Sequence, residues 1–173
     1  MAERKTITQE YLKSILDYDP ETGVFTWRWR DGLPNVCNYR DAGKEAGTLR
    51  PTGYRYISID HRHWAAHRLA YIIMTGEQPV GDVDHINLNK SDNRWRNLRL
   101  ATRSQNQSNV PCHKRNKSGI KGVHLQKDCG RWVAYITVNR KRLHLGMFAT
   151  KEEAAKARED ASARIYGEFS RLY

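Results

Sequence analysis

Residues 83–109 read VDHINLNKSDNRWRNLRLATRSQNQSN, and this stretch decides the fold. It sets Asp84 beside His85, places Asn97 twelve residues after that histidine, and Asn106 nine further on. Val83-Asp84-His85-Ile86 reads as a short strand, with Leu98-Arg99-Leu100-Ala101 as its partner across a loop. Thr102 or Ser104 is then suited to cap a short helix carrying Asn106. The loop holds Asn87, Asn89, Ser91, Asp92 and Asn93, side chains that favour turns by bonding their own backbone. A ββα unit is expected.

The same residues carry chemistry. A phosphodiester is hydrolysed when a deprotonated water attacks phosphorus while the leaving oxygen is stabilised; a cation and a neutral imidazole can share that work. Mg²⁺ prefers oxygen and takes only one or two ligands from protein, leaving room for phosphate and water. Asp84 offers a carboxylate and Asn106 an amide oxygen. In a regular strand His85 points away from Asp84, so a local twist must bring both to one phosphate. The three cysteines, Cys37, Cys112 and Cys129, are scattered with no C-x-x-C, which removes the paired spacing of a zinc ribbon or finger.

The stretch resembles the HNH (His-Asn-His/Asn) nuclease motif with Asn at the third position, and the string Asn97-Leu98-Arg99-Leu100-Ala101-Thr102 is similar to the family's. The resemblance implies a ββα-metal (His-Me finger) core. Within it, Asp84 and Asn106 would be metal ligands, His85 the general base, and Asn97 the brace that steadies the loop and orients the histidine. It also implies one divalent ion, Mg²⁺ first and Mn²⁺ as the alternative, with double-stranded DNA as partner and no small-molecule cofactor. His67-Arg68-Leu69 recurs on the family's approach to the motif, which implies a structural or phosphate-contacting role for His67 and Arg68.

Charge supports a polyanionic partner. The chain has 173 residues and a formal net charge of +11. Residues 110–150 hold 9 Lys and Arg against 1 acidic residue, whereas residues 1–79 are nearly balanced at 11 against 10. A concentrated basic excess interleaved with aromatic and His residues suits nucleic acid. No apolar run is long enough to span a bilayer, and the start lacks the apolar core of a secretory signal, so a cytoplasmic chain without membrane contact is expected.

Four blocks are expected along the chain. Residues 1–79 form an α/β lead-in region that could itself contact DNA. It has a helical pattern at Tyr11, Leu12, Ile15 and Leu16, a turn at Pro20–Gly23, a strand at Val24–Trp27, and a loop from Asp31 to Gly47. Tyr54–Ile59 alternates as a strand, Asp60–His63 turns it into a hairpin, and Trp64–Thr75 has helical spacing that stops at Gly76. Residues 80–109 are the nuclease motif, and 110–118 a basic, mobile tether.

Residues 119–173 give strand-like runs at Ile120–Gln126, Trp132–Val138 and Arg142–Leu145, with turns at Gly130 and Asn139-Arg140. Thr150 and Glu153 make a capping box that opens a helix to about Tyr166, with a narrow stripe of Ala154, Ala157, Ala161 and Ile165. Trp132, Ala134, Ile136 and Val138 share one strand face and should pack under that helix. The other side would display Lys121, His124, Gln126, Arg131, Tyr135, Arg142 and His144, a surface able to enter a major groove.

This block resembles the ethylene-response-factor (APETALA-type) DNA-binding domain. The resemblance rests on Ile120–Val123, Gly130–Ala134, Leu145–Phe148 and Glu152–Ala155. It implies DNA contacts at Lys121, His124, Gln126, Tyr135, Thr137, Arg142 and His144. Several of these are His, Gln or Tyr where plant members have Arg and Trp, so the target sequence does not transfer.

The expected architecture is α+β: a ββα-metal nuclease core plus a small three-stranded antiparallel sheet packed on one helix. The expected function is site-specific, metal-dependent DNA cleavage of the HNH homing type known from phages and introns, with one strand nicked per site. The rival readings are a non-catalytic DNA-binding regulator on a nuclease scaffold, or a restriction- or packaging-associated phage nuclease. Monomer and dimer are both open.

Overall fold

A computed structural model describes residues 7–110, 112, 113 and 115–170. Among the described residues, four small sheets and five helices make a mixed α/β architecture, in keeping with the α+β expectation. It divides between Leu100 and Ala101 into two compact units. The division falls inside the 83–109 stretch, so the strand pair belongs to the first unit and the helix bearing Asn106 to the second. Among the described residues no helix is long and apolar enough to cross a membrane.

In the first unit, helix α1 (Gln9–Ile15) is capped by Thr8, whose side chain accepts from the Tyr11 N–H. Leu12 and Ile15 face the core, but Leu16 is buried from an extended backbone because strand β1 (Leu16–Tyr18) begins there and pairs with β2 (Phe25–Trp27). The turn between them has Gly23 at φ +76°, where a Cβ would lie 2.4 Å from the Arg94 N; this hairpin therefore sits hard against the motif loop. Tyr18 OH donates to Asn93 O at 2.7 Å and the Trp95 N–H to Pro20 O at 2.9 Å, tying the same two segments.

The expected loop from Asp31 to Gly47 is instead interrupted by helix α2 (Asn35–Asp41). It has no side-chain cap and leaves Val36 and Tyr39 exposed, so it carries neither of the usual helix signals. Its anchor is polar: buried Asn38 accepts from the Arg30 N–H and donates to Arg30 O, both at 2.9 Å.

Strands β3 (Thr48–Leu49), β4 (Arg55–Ile59) and β5 (Arg62–Ala65) form an antiparallel sheet in that order. Asp60 and His61, at φ 50° and 62°, make a two-residue hairpin turn. Arg62 and His63 are therefore already strand, and Trp64 and Ala65 complete it, so helix α3 (Ala66–Thr75) starts two residues later than its periodicity suggests. Gly76 ends α3 in the left-handed region, its N–H bonded to Ile72 O. Leu69, Ala70, Ile72 and Ile73 of α3 join Leu12, Phe25, Ile57, Val83 and Leu98 in one core. Strand β6 (Asp82–His85) pairs with β7 (Leu98–Ala101), preceded by a 3-10 turn at Trp95–Asn97.

The second unit contains α4 (Arg103–Asn109), strands β8 (Val123–Gln126), β9 (Arg131–Val138) and β10 (Lys141–Phe148), helix α5 (Lys151–Tyr166) and a 3-10 turn at Gly167–Phe169. The sheet is antiparallel in the order β10-β9-β8, and Asn139-Arg140 form its second hairpin turn at φ 47° and 67°. The register shifts between His144 and Gly146, a bulge that leaves Leu145 to pack inward. Both helices open with capping boxes, Thr102/Gln105 on α4 and Thr150/Glu153 on α5.

Two expectations are corrected here. Ile165 is exposed, and α5 buries Ala154, Arg158, Ala161, Ser162 and Tyr166, a face rotated toward the flank where Tyr166 OH donates to Thr137 O at 2.6 Å. The end of the expected mobile tether is held down: Asn116 Nδ2 donates to Ile120 O at 2.9 Å, and buried Ser118 Oγ lies 2.6 Å from Val123 O. Pro111 and Lys114 lie outside the described residues.

Candidate active site and nucleic-acid interface

Asp84 and His85 close strand β6 and are both buried, 6% and 4% exposed. They meet different surroundings, as alternation along a strand requires. Arg99 on β7 donates Nε to Asp84 Oδ2 at 3.2 Å, with both side chains largely out of water. The His85 ring packs edge-on against His67 of α3, with centroids 5.0 Å apart, and lies 5.9 Å from Tyr54. Its Nε2 is 3.3 Å from Asn93 Oδ1.

Asn93 is the hydrogen-bond partner of the imidazole. Its Nδ2 donates to Ser91 O at 3.3 Å, so its Oδ1 faces the imidazole and accepts an Nε2–H. The basic lone pair of neutral His85 is then on Nδ1. Burial lowers the His85 pKa, opposed by Asn93, Asp84 and Asp92. His67 is held down to about 3, by burial and then by His85 and Arg68, against the pull of Asp82. Its Nδ1 is buried without a partner.

Asn97 acts on the loop. It accepts from the Asn87 N–H at 3.0 Å and donates Nδ2 to Asp92 O at 2.8 Å, spanning the loop that leaves His85. Leu88 turns that loop at φ 64°. Asp92 is drawn to about 2, first by Arg94, whose Nε donates to its Oδ1 at 2.7 Å, and also by the Asn87 amide. Arg68 donates to the carbonyls of Gly81 and Pro79 at 3.1 and 3.4 Å, holding the approach to β6.

For a hard divalent cation the donors are oxygens. Among the described residues no three His, Cys, Asp or Glu side chains group as a metal cage. A cation that keeps most of its own waters needs only a carboxylate and one further oxygen, and the buried Asp84 carboxylate fits that demand. Asn106 lies in the middle of α4, its N–H bonded to Thr102 O at 2.9 Å, in the second unit.

In the second unit the strand register brings most expected surface residues onto one face. Gln126 is opposite Arg131, His124 opposite Val133, His144 opposite Tyr135 and Arg142 opposite Thr137. The Arg142 guanidinium stacks on the Tyr135 ring at 4.1 Å, and His124 meets the same ring edge-on at 5.9 Å. Lys121 precedes β8, is half-buried, and donates Nζ to Ser108 O at 2.6 Å. Val133 lies in the middle of this face and is buried.

Sequence reasoning missed Asn93 as the histidine's partner and Arg99 as the aspartate's. Asn93 was visible only as one turn-former among several. Arg99 could have been found, because a residue on β7 paired with β6 is within reach of an inward carboxylate.

Comparison with known proteins identifies a family. The family described as HNH endonuclease matches residues 65–108, from the end of β5 through α4. Over 150 residues the chain is 31% identical to an uncharacterized HNH endonuclease of Acanthamoeba polyphaga mimivirus, a match covering 86% of this chain and 74% of that protein. The chain belongs to the HNH endonuclease family, a class of DNA-cleaving nucleases that generally use a divalent metal ion. It is also 52% identical over 44 residues to dehydration-responsive element-binding protein 2E of Oryza sativa subsp. japonica, covering 24% of this chain and 14% of the plant protein. No solved structure gives a significant match.

Proposed function

We propose that the chain is a metal-dependent, site-specific DNA endonuclease of the homing type, in which the first unit cuts and the sheet of the second unit selects the site. The observation that carries this reading is buried His85 beside Asp84, its pKa lowered by burial and its Nε2 3.3 Å from Asn93 Oδ1; because an amide oxygen only accepts, this reading makes Nδ1 the basic nitrogen. In this reading His85 Nδ1 takes a proton from the attacking water. Asp84 would hold one Mg²⁺ through its carboxylate, with Asn106 as the further protein ligand that the resemblance implies, and Asn97 holds the loop that leaves the histidine. A bound cation would stabilise charge on the phosphate and the leaving oxygen.

The DNA-reading half of the proposal is supported by the Gln126/Arg131, His124, Tyr135/His144 and Thr137/Arg142 face and by the short likeness to the plant dehydration-responsive element-binding protein. One site cuts one strand, so the expected product is a nick. A second reading, a non-catalytic DNA-binding protein, has one observation in its favour: Arg99 already supplies a cation to Asp84.

A supercoiled-plasmid assay separates the two. Wild type with Mg²⁺ should produce open circles, and chelation should stop it. His85→Ala should lower the rate by roughly 10²–10⁴-fold, the usual contribution of a general base. Equal nicking by wild type and His85→Ala would remove His85 from the chemistry.

A further inference from the structure

The second unit holds a pocket of about 210 Å³ that the cleavage reading leaves unused. Its walls include Gln107 and Ser108 of α4, Lys121 and Gly122 before β8, Tyr135 of β9 and Arg158 of α5. Arg158 is only 5% exposed, yet its Nε and Nη1 have no hydrogen-bond partner. Ser108 Oγ, on the same pocket, is also buried without one. Lys121 brings a second cation, its Nζ fixed 2.6 Å from Ser108 O. Among the described residues lining the pocket there is no Asp or Glu.

A buried guanidinium is normally paired, because leaving its N–H groups dry forfeits their hydration. Here the fold makes room for it: at Gly122, φ +70°, a Cβ would lie 3.0 Å from Arg158 Nε and 2.1 Å from Tyr135 O. Burial draws the Arg158 pKa down, with Tyr166 and Tyr135 acting in the opposite sense. Two cations, a spare hydroxyl and unpartnered N–H donors with no competing acid are the complement of a tetrahedral oxyanion.

We propose that the Arg158–Lys121–Ser108 pocket binds a phosphate group. Two sources share that chemistry, a DNA backbone phosphate and free inorganic phosphate. The DNA source rests on the reading of the second unit as DNA-binding; the free-phosphate source does not.

The test uses the full chain. Thermal unfolding is followed in sodium phosphate and in sodium chloride of equal ionic strength and pH, and DNA affinity is measured as a function of salt. Wild type should gain a saturable rise in Tm with phosphate that Arg158→Met abolishes. A DNA phosphate in the pocket should show as a log–log salt slope reduced by about 0.9 in Arg158→Met, the effect of one lost contact. Either response supports the site, and the slope assigns its occupant: an unchanged slope with a lost Tm response means free phosphate. If neither response differs between wild type and Arg158→Met, Arg158 only packs its stem and the proposal is overturned. Ser108→Ala combined with Lys121→Met, followed by the Tm response to phosphate alone, decides the pocket should Arg158→Met not fold. Absence of any DNA binding by wild type would sink the DNA reading alone, and the Tm comparison would still decide the pocket.

Discussion

His67 shows how one residue ties the site to the core. Its ring fills space between Tyr54 and His85 while its Nδ1 is left dry, so only the neutral form is tolerated. With the folded pKa near 3 and the ordinary value at 6.5, the unfolded chain binds a proton that the folded one refuses between those limits. The contribution to stability is complete above about pH 6.5 and declines as pH falls toward 3. Urea unfolding of wild type should therefore weaken across that window, and His67→Phe should flatten part of the decline. Identical pH dependence in both proteins would mean that His67 titrates normally when folded. The spacing of Asp84, His85 and Asn97 could be read from the sequence. The roles of His67, Asn93 and Arg99 were less legible, because each is set by a neighbour's packing and not by its own residue type.

At the scale of elements, what could be read was what is encoded within a few residues. The Thr150/Glu153 box starts α5 where expected, and Gly76 stops α3. Two-residue turns with positive φ set the register of the β4–β5 and β9–β10 hairpins. Thr150→Ala removes one side of the α5 box and should cost about 1 kcal/mol in chemical denaturation, the usual worth of an N-cap. A change below a few tenths would mean that α5 is held by its sheet contacts alone. Elements lacking such local marks went unread. Helix α2 is fixed by Asn38 reaching back to Arg30, and the buried flank of α5 follows Tyr166 toward Thr137.

Across the whole chain, the basic excess of 110–150 includes Arg131 and Arg142 on one face of the sheet. If that face meets DNA, Arg131→Gln and Arg142→Gln should each reduce the salt slope of binding by about 0.9 wherever the side chain neutralises a phosphate. Arg142 should also weaken binding through its stack on Tyr135, so its loss is the larger expected effect. An unchanged slope in the double variant would place the DNA contact elsewhere. Trimming the chain after the motif is a poorer test, because α4 belongs to the second unit and loses its partners there.

By itself the sequence determined the HNH motif, the alternation of the C-terminal strands, the helix caps and the site of positive charge. All are properties of residues within a turn or two of each other, where backbone geometry leaves few choices. The tertiary structure alone decided that Tyr18, 75 residues away, would hold Asn93, that His67 would wall in His85, and that Arg158 would be buried facing a polar pocket. Those outcomes depend on how separate elements close-pack, which no local period or cap encodes.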